Sequence, residues 1–135
     1  MAQHGKHFYG FSRIVNVGVA TVATSSTTEV AIFAAPFNCR VRKCSIIVNT
    51  AITGQNTSYQ TLGFKNKGSA GAGTDVIASK AFTSGVNATQ YDETDIGTPA
   101  NNRLNEGDTV TFYKAVASSG QTMPALIAQI RYTRI

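Results

Sequence analysis

The fold is decided by Thr109-Val-Thr-Phe-Tyr-Lys-Ala-Val116 and by Leu126-Ile-Ala-Gln-Ile-Arg-Tyr-Thr-Arg-Ile135, the two clearest patterns in the chain. Apolar residues recur at every second position in both stretches, which is typical of strands with one buried face. A turn sequence, Asn105-Glu-Gly-Asp108, precedes the first stretch, and a Ser/Gly/Pro-containing loop separates the two. Strands joined in this way are expected to pair with each other as an antiparallel hairpin.

Similar short strand signals recur towards the N-terminus. They cover residues 14–22, 30–35, 37–49, 59–65, 76–82 and 89–93. No stretch has the three-to-four-residue apolar spacing of a helix, and no repeat or linker interrupts the series. About eight antiparallel strands without a helical crossover indicate an all-β, single-domain jelly roll or β-sandwich. We assign residues 13–135 to this domain and residues 1–12 to an extended N-terminal arm.

The stretch 37–49 changes its alternation midway. Cys39 and Val41 occupy one phase, whereas the apolar residues from Cys44 onward occupy the other. Because side chains alternate strictly along a regular strand, the change predicts a bulge near Arg42-Lys43. The five-residue spacing of the two cysteines does not suit a disulfide, so both are expected to be buried free thiols.

The charge content is low. Charged residues make up 14% of the chain, against roughly 25% in an average soluble domain. A neutral polar surface is more stable when partners cover it, although chance variation in a small chain explains the same figure equally well. The net charge of +5 is uneven, because residues 75–135 contain six of the seven acids. This division suits head-to-tail contact between copies or docking on an acidic surface.

The candidate contact residues fall into two groups. In the arm, Phe8, Tyr9 and Phe11 are apolar side chains between glycines, and we interpret them as anchors on a neighbouring subunit. The alternative is that the phenylalanines cover the domain's own core. On the strand at 37–49, Arg40, Arg42 and Lys43 stand outside the alternating core positions. We expect them to make polar contacts with a partner.

Residues that would support catalysis are missing from this sequence. Both histidines, His4 and His7, lie in the arm, so no nucleophile has a base beside it and no zinc site has enough ligands. The acids at 92–95 are best interpreted as a solvated or salt-bridging edge. The glycine-rich loop at 63–73 lacks the Lys-Ser/Thr pair and the following helix of a phosphate-binding loop. We predict no enzyme activity, no cofactor, no metal and no small-molecule substrate.

Membrane and nucleic-acid roles are also disfavoured. The longest apolar run, residues 30–35, is far shorter than the ~20 residues of a membrane-spanning helix. Arg40, Arg42 and Lys43 near Phe37, and Lys65 and Lys67 near Tyr59 and Phe64, form the aromatic-basic pattern of single-strand binders. Against this, the charge excess is small, tryptophan is absent and no known nucleic-acid motif occurs.

Two parts of the chain resemble a known family. Residues 104–132, running from Leu104-Asn-Glu-Gly-Asp to Gln129-Ile-Arg-Tyr132, resemble the ending of jelly-roll decoration (cement) proteins of tailed-bacteriophage heads. The Pro-initiated strand Ala35-Pro-Phe-Asn-Cys-Arg-Val-Arg-Lys-Cys44 is similar to the same group. The resemblance is a pattern of strands and turns rather than a set of functional residues.

The resemblance implies a structural virion protein. Such a protein is made in the host cytoplasm, assembles as a homotrimer on the capsid exterior, and bridges major capsid subunits. Its partners would be the major capsid protein and further copies of itself. Two alternatives remain: a sandwich module that binds glycan, through Tyr59, Tyr91 or Tyr113, or single-stranded nucleic acid, and a subunit of a phage tail or neck.

Overall fold

The structure is a computed structural model, and it describes residues 11–135. Strands are the only regular elements in this part of the chain. They are β1 (Ser12–Val19), β2 (Thr28–Ala34), β3 (Cys39–Val48), β4 (Tyr59–Asn66), β5 (Asp75–Ala81), β6 (Glu93–Gly97), β7 (Arg103–Leu104), β8 (Thr109–Ala117) and β9 (Leu126–Arg134).

The strands form two antiparallel sheets that face each other. The first sheet has the order β1-β9-β3-β6, with the two-residue β7 also pairing with β3, and the second has the order β2-β8-β4-β5. Pairing is nested: β1 with β9, β2 with β8, β3 with β6 and β4 with β5. With β7 as a short addition, eight strands divided in this way between two sheets form a jelly roll. The predicted all-β, single-domain fold is confirmed.

The predicted C-terminal hairpin is wrong. β8 lies in the second sheet between β2 and β4, and β9 lies in the first sheet between β1 and β3. The loop between them crosses from one sheet to the other, and Met123 within it forms a β-bridge with Val22. The alternation of each strand shows which face is buried, but it carries no information on which strand lies alongside.

The sixth strand is also displaced from its predicted position. The expected strand at 89–93 is a turn in the structure, and β6 begins at Glu93 and runs to Gly97. Ile96 is the only fully buried side chain of β6, so the apolar signal of this strand is weak.

The bulge in β3 is confirmed. The pairing of β3 with β9 shifts by one residue between Val41 and Lys43. As a result, apolar side chains on both sides of the shift point into the core, and all five are fully buried: Cys39, Val41, Cys44, Ile46 and Val48. Both cysteines are free thiols, as predicted.

Aromatic side chains fill the space between the sheets. Phe33 of β2 packs on Tyr132 of β9 with ring centroids 4.8 Å apart, which joins the two sheets. Within the second sheet, Phe64 and Phe112 are register partners and meet edge to face at 5.4 Å. Burial of such large rings is the main favourable contribution to a fold of this kind.

One buried position on β8 is a lysine. Lys114 is 2% exposed, and its ammonium group donates hydrogen bonds to the carbonyl oxygens of Ala23, Thr24 and Ser26 at 2.7, 3.2 and 2.8 Å. Burial lowers the pKa of this ammonium group. Because the three carbonyls belong to the β1–β2 loop, Lys114 fixes that loop against the second sheet.

Candidate interaction surface

The outer face of the first sheet carries a cluster of cations. Cys39 on β3 and Leu104 on β7 are register partners with fully buried side chains, so their neighbours Arg40 and Arg103 point to the opposite, outer side. Arg42 lies on the same side because it follows Arg40 by two residues, and the bulge adds Lys43 to this side, opposite Arg131 of β9. We call these five residues the basic patch: Arg40, Arg42, Lys43, Arg103 and Arg131.

Two pairs of like charge stand directly opposite each other in the basic patch. Arg40 is the register partner of Arg103, and Lys43 is the register partner of Arg131. Like charges in directly opposed positions destabilise a sheet. The patch is therefore an unfavourable arrangement in the isolated chain.

Internal contacts satisfy only part of the basic patch. Arg42 donates from Nε to the hydroxyl oxygen of Thr133 at 2.9 Å. Lys43 forms a salt bridge with Glu93, with Nζ 3.5 Å from Oε2. Glu93 also accepts a hydrogen bond from the Ser45 hydroxyl at 2.7 Å, and this bond, followed by the nearby lysine, lowers the pKa of the Glu93 carboxyl. The expectation that the acids at 92–95 form a salt-bridging edge is confirmed for Glu93.

The division of charge along the sequence does not persist in space. β3, which carries most of the basic patch, pairs side by side with β6, which carries Glu93 and Asp95. The basic and acidic segments are therefore neighbours within one molecule, and they do not form opposite ends of it.

A shallow pocket lies within the basic patch. It has a volume of about 380 Å³ and is lined on one side by Arg42, Lys43 and Arg131 and on the other by Asp95 and residues 97–99. The Asp95 carboxylate accepts a hydrogen bond from the backbone N–H of Gly97 at 3.0 Å. Three cations and one carboxylate around an open pocket favour an anionic ligand group.

The outer face of the second sheet has a different character. Glu29 accepts a hydrogen bond from the Thr111 hydroxyl at 2.6 Å and forms a salt bridge with Lys67 at 3.4 Å. The hydroxyl contact is the main cause of the lowered pKa of the Glu29 carboxyl. Lys65 lies over the ring of Tyr113 with Nζ 4.3 Å from the centroid. The charged side chains of Glu29, Lys65 and Lys67 on this face therefore all have partners within the chain.

Two of the three aromatic residues of the predicted nucleic-acid pattern are not free for stacking. Phe37 has the guanidinium groups of Arg13 and Arg134 on its ring, at 5.3 and 4.5 Å from the centroid. Phe64 is fully buried, whereas Tyr59 is half-buried at the start of β4. The basic and aromatic residues that are close in sequence therefore do not form a continuous stacking surface.

The two cysteines do not provide a reactive thiol. Burial raises the pKa of the Cys44 thiol to about 12 and also raises that of Cys39, so both stay protonated and unreactive at neutral pH. Among residues 11–135, no group of three or more potential metal ligands occurs. The same residues contain no helix long and apolar enough to cross a membrane.

The largest pocket described, about 500 Å³, lies at the loop end of the sandwich. Its lining is neutral and contains no aromatic residue; it consists of Thr24, Ala51, Ile52, Thr53, Gln55, Gly120, Gln121 and Thr122. A glycan site on a sandwich usually has an aromatic platform, and this pocket does not supply one.

The other predicted contact residues lie at or before the start of the structure. Phe8 and Tyr9 are outside the described residues. Phe11 comes directly before β1 and is 60% exposed. Arg103 and Arg131 were missed by the sequence analysis, because only the register of β7 and β9 against β3 brings them beside Arg40 and Lys43.

Comparison with known proteins gives a match in fold. The chain superposes on a chain of the cyanophage Pam1 capsid asymmetric unit with a TM-score of 0.56 and 17% identity, over 95% of this chain and 88% of that chain. A chain of infectious bursal disease virus, Gx strain, gives a TM-score of 0.42 at 7% identity, over 93% of this chain and 33% of that chain. No protein-family model and no curated protein matches the sequence. The first match shows a shared fold.

Proposed function

We propose that this chain is a non-enzymatic structural protein of a phage capsid, which decorates the shell exterior and bridges neighbouring major capsid subunits as a homotrimer. One observation carries the proposal. Nearly the whole jelly roll superposes on a chain from a cyanophage capsid, and that chain is of comparable length. A small sandwich of this kind therefore exists as a separate component of one phage capsid.

The surface of the molecule supports a role in assembly. The basic patch leaves four of its five cations without a carboxylate within 4 Å in the described part of the chain. The low charged fraction of 14% suits a surface that is covered by other subunits. In this proposal Arg40, Arg42 and Lys43 contact the capsid, and Phe8, Tyr9 and Phe11 anchor the arm.

Binding to the assembled shell would stabilise it in two ways. Contacts that exist only in the assembled state shift the equilibrium towards that state by mass action. In a trimer, the second and third contacts become intramolecular once the first has formed, so their effective concentration is high. Neither effect needs catalytic chemistry.

The test begins with the gene neighbourhood, where we expect a major capsid gene beside this one. Shells of that capsid protein are then heated with and without the full chain, and with a variant that lacks residues 1–11. We expect the full chain to raise the temperature at which the shells break and the deletion to remove most of the gain. Light scattering on the free protein and imaging of decorated shells report the trimer.

Three results would contradict the proposal. Shells that neither bind the chain nor gain stability would exclude decoration. A monomer at micromolar concentration, with no trimer on the shell, would exclude the trimer. Images that place the protein at the tail or neck would assign it to that part of the virion instead.

A further inference from the structure

We propose that the basic patch is a docking surface for an acidic segment of a partner protein, whose carboxylates enter the pocket between Arg42, Lys43 and Arg131. The identity of the partner as a major capsid subunit rests on the proposed function, whereas the acidic character of the partner rests on the patch itself.

Most cations of the basic patch are not neutralised by a carboxylate of the chain. In residues 11–135, the only side-chain ion pairs within 4 Å are Lys43 with Glu93 and Lys67 with Glu29. Four cations of the patch therefore have no carboxylate at that distance: Arg40, Arg42, Arg103 and Arg131. An incoming carboxylate group would meet positive potential that Glu93, which interacts with Lys43 and Arg131, cancels only in part.

The basic patch contains two pairs of cations that lie directly opposite each other on neighbouring strands. Arg40 opposite Arg103, and Lys43 opposite Arg131, each place two cations where cross-strand repulsion is strongest. The Arg40–Arg103 pair has no carboxylate within 4 Å and lowers the stability of the free protein, whereas Glu93 already offsets part of the repulsion between Lys43 and Arg131. A bound carboxylate between the members of a pair removes the repulsion that remains, so part of the binding free energy comes from relief of a cost already present.

The guanidinium group of Arg42 is already held in place before a ligand binds. Its Nε donates to the Thr133 hydroxyl, and Thr133 is 7% exposed and held in β9. This bond fixes the guanidinium plane and leaves the two terminal amino groups for a ligand. Arginine binds carboxylates through such paired donors, and less side-chain entropy is lost when the group is already held.

The face around the patch favours a protein over a nucleic acid. Ile14 is 50% exposed and is the register partner of Arg131, and Ile127 is 37% exposed on the same outer face. Apolar side chains beside arginines are typical of protein interfaces. Single-strand binders need free aromatic rings, and Phe37 is covered by two guanidinium groups.

The binding test uses the full chain with two fluorescent probes, an oligoglutamate peptide and an oligothymidylate of equal charge. The variant Arg42→Gln/Arg131→Gln removes two patch cations. Lys80→Gln removes one cation of the second sheet, and because the double variant loses two, twice the free-energy effect of Lys80→Gln is the control for net charge. We expect the double variant to weaken peptide binding about fivefold beyond the effect of the control. The peptide should also bind more tightly than the oligothymidylate.

A stability measurement tests the like-charge argument independently. Because Arg103→Gln removes one member of an opposed pair, we expect the melting temperature of the free protein to rise by about 1–3 °C. A structural role for Arg103 would give a fall instead. A rise in stability together with weaker peptide binding is the signature of a surface arranged for a partner.

The outcomes separate the two proposals. Tighter binding of the oligothymidylate, or a loss in the double variant no larger than twice the free-energy effect of Lys80→Gln, would overturn the acidic-partner proposal. So would shells that bind the double variant as well as the wild type, and this result would leave decoration intact. If the peptide binds at the patch but shells do not bind the chain, decoration fails and the docking surface stands.

Discussion

The two outer faces of the sandwich differ in how their cations are placed. On the second sheet, Glu29 has a hydroxyl donor and a lysine partner, and Lys65 rests on an aromatic ring. The first sheet has a similar partnered glutamate, Glu93, but it also places Arg40 opposite Arg103 and Lys43 opposite Arg131. Both faces belong to one small domain of the same low charge content, so composition does not explain the difference.

The comparison indicates which face of the sandwich is the better candidate for an interaction surface. A face whose charged groups are already paired gains little from a partner, because binding would have to break those contacts. A face with opposed like charges gains from an anionic partner. The arrangement of charges in the register, and not their number, distinguishes the two faces.

The largest expected effect on the free energy of unfolding comes from adding a methyl group to a glycine on each face. A Cβ atom at Gly63 would lie 2.8 Å from the Tyr113 ring and 2.7 Å from the carbonyl oxygen of Ala78, whereas a Cβ atom at Gly18 meets nothing within 4 Å. We expect Gly63→Ala to lower the free energy of unfolding by about 1–3 kcal/mol, as overpacking does. Gly18→Ala should leave it unchanged or raise it by about 0.5 kcal/mol. Urea denaturation measures both, and equal effects would show that the faces are packed alike.

A smaller loss of stability is expected when Glu29 or Glu93, the two glutamates with a lysine partner, is replaced by glutamine. The pKa of Glu29 and of Glu93 is lowered from 4.5, chiefly by a hydroxyl donor in each case. A carboxyl with a lower pKa in the folded state adds stability above the unfolded value, and this is lost as the pH falls through the folded value. Glu29→Gln and Glu93→Gln should therefore each cost about 0.5–1 kcal/mol at pH 7.

The pH dependence and a control identify the source of that loss. The deficit of each variant relative to the wild type should shrink as the pH is lowered below 4.5, because the wild-type carboxyl becomes protonated as well. Glu106→Gln is the control, since the Glu106 side chain forms no ion pair in the described structure. A deficit that stays constant in acid would mean that packing, and not charge, is responsible.

The smallest expected effect is that of salt on the free protein. Raising the ionic strength from low to physiological screens repulsion between exposed cations, so the melting temperature of the wild type should rise by about 1 °C. In Arg40→Gln/Arg103→Gln the rise should be clearly smaller but not absent, because the Lys43–Arg131 pair remains, whereas Lys80→Gln should keep it. If calorimetry finds the same salt response in all three proteins, the opposed pairs do not carry a measurable cost.

What could be predicted from sequence depended on whether the signal was local. The bulge in β3 was predictable because Cys39, Val41 and Cys44 report it within one strand. The class of jelly roll or β-sandwich followed from the number and spacing of strands. Both features need only the alternation of buried and exposed side chains along the chain.

The features that sequence missed depend on pairing between distant segments. Nothing in β8 and β9 indicates that each is a central strand of a different sheet, so a hairpin was the natural expectation. Arg103 and Arg131 look like isolated cations, and only register places them beside Arg40 and Lys43. The start of β6 was misplaced because Ile96 is its one strongly buried residue.

The central position of β9 has a consequence for how the protein is made. β9 pairs along its length with β1 on one side and with β3 on the other. Until β9 has left the ribosome, those two strands have no neighbour to join them, and the first sheet stays open with apolar faces exposed. Such distant pairings form slowly. We therefore expect the first sheet to close only after β9 has been synthesised, and Lys43 and Arg131 of the basic patch to come together at that step.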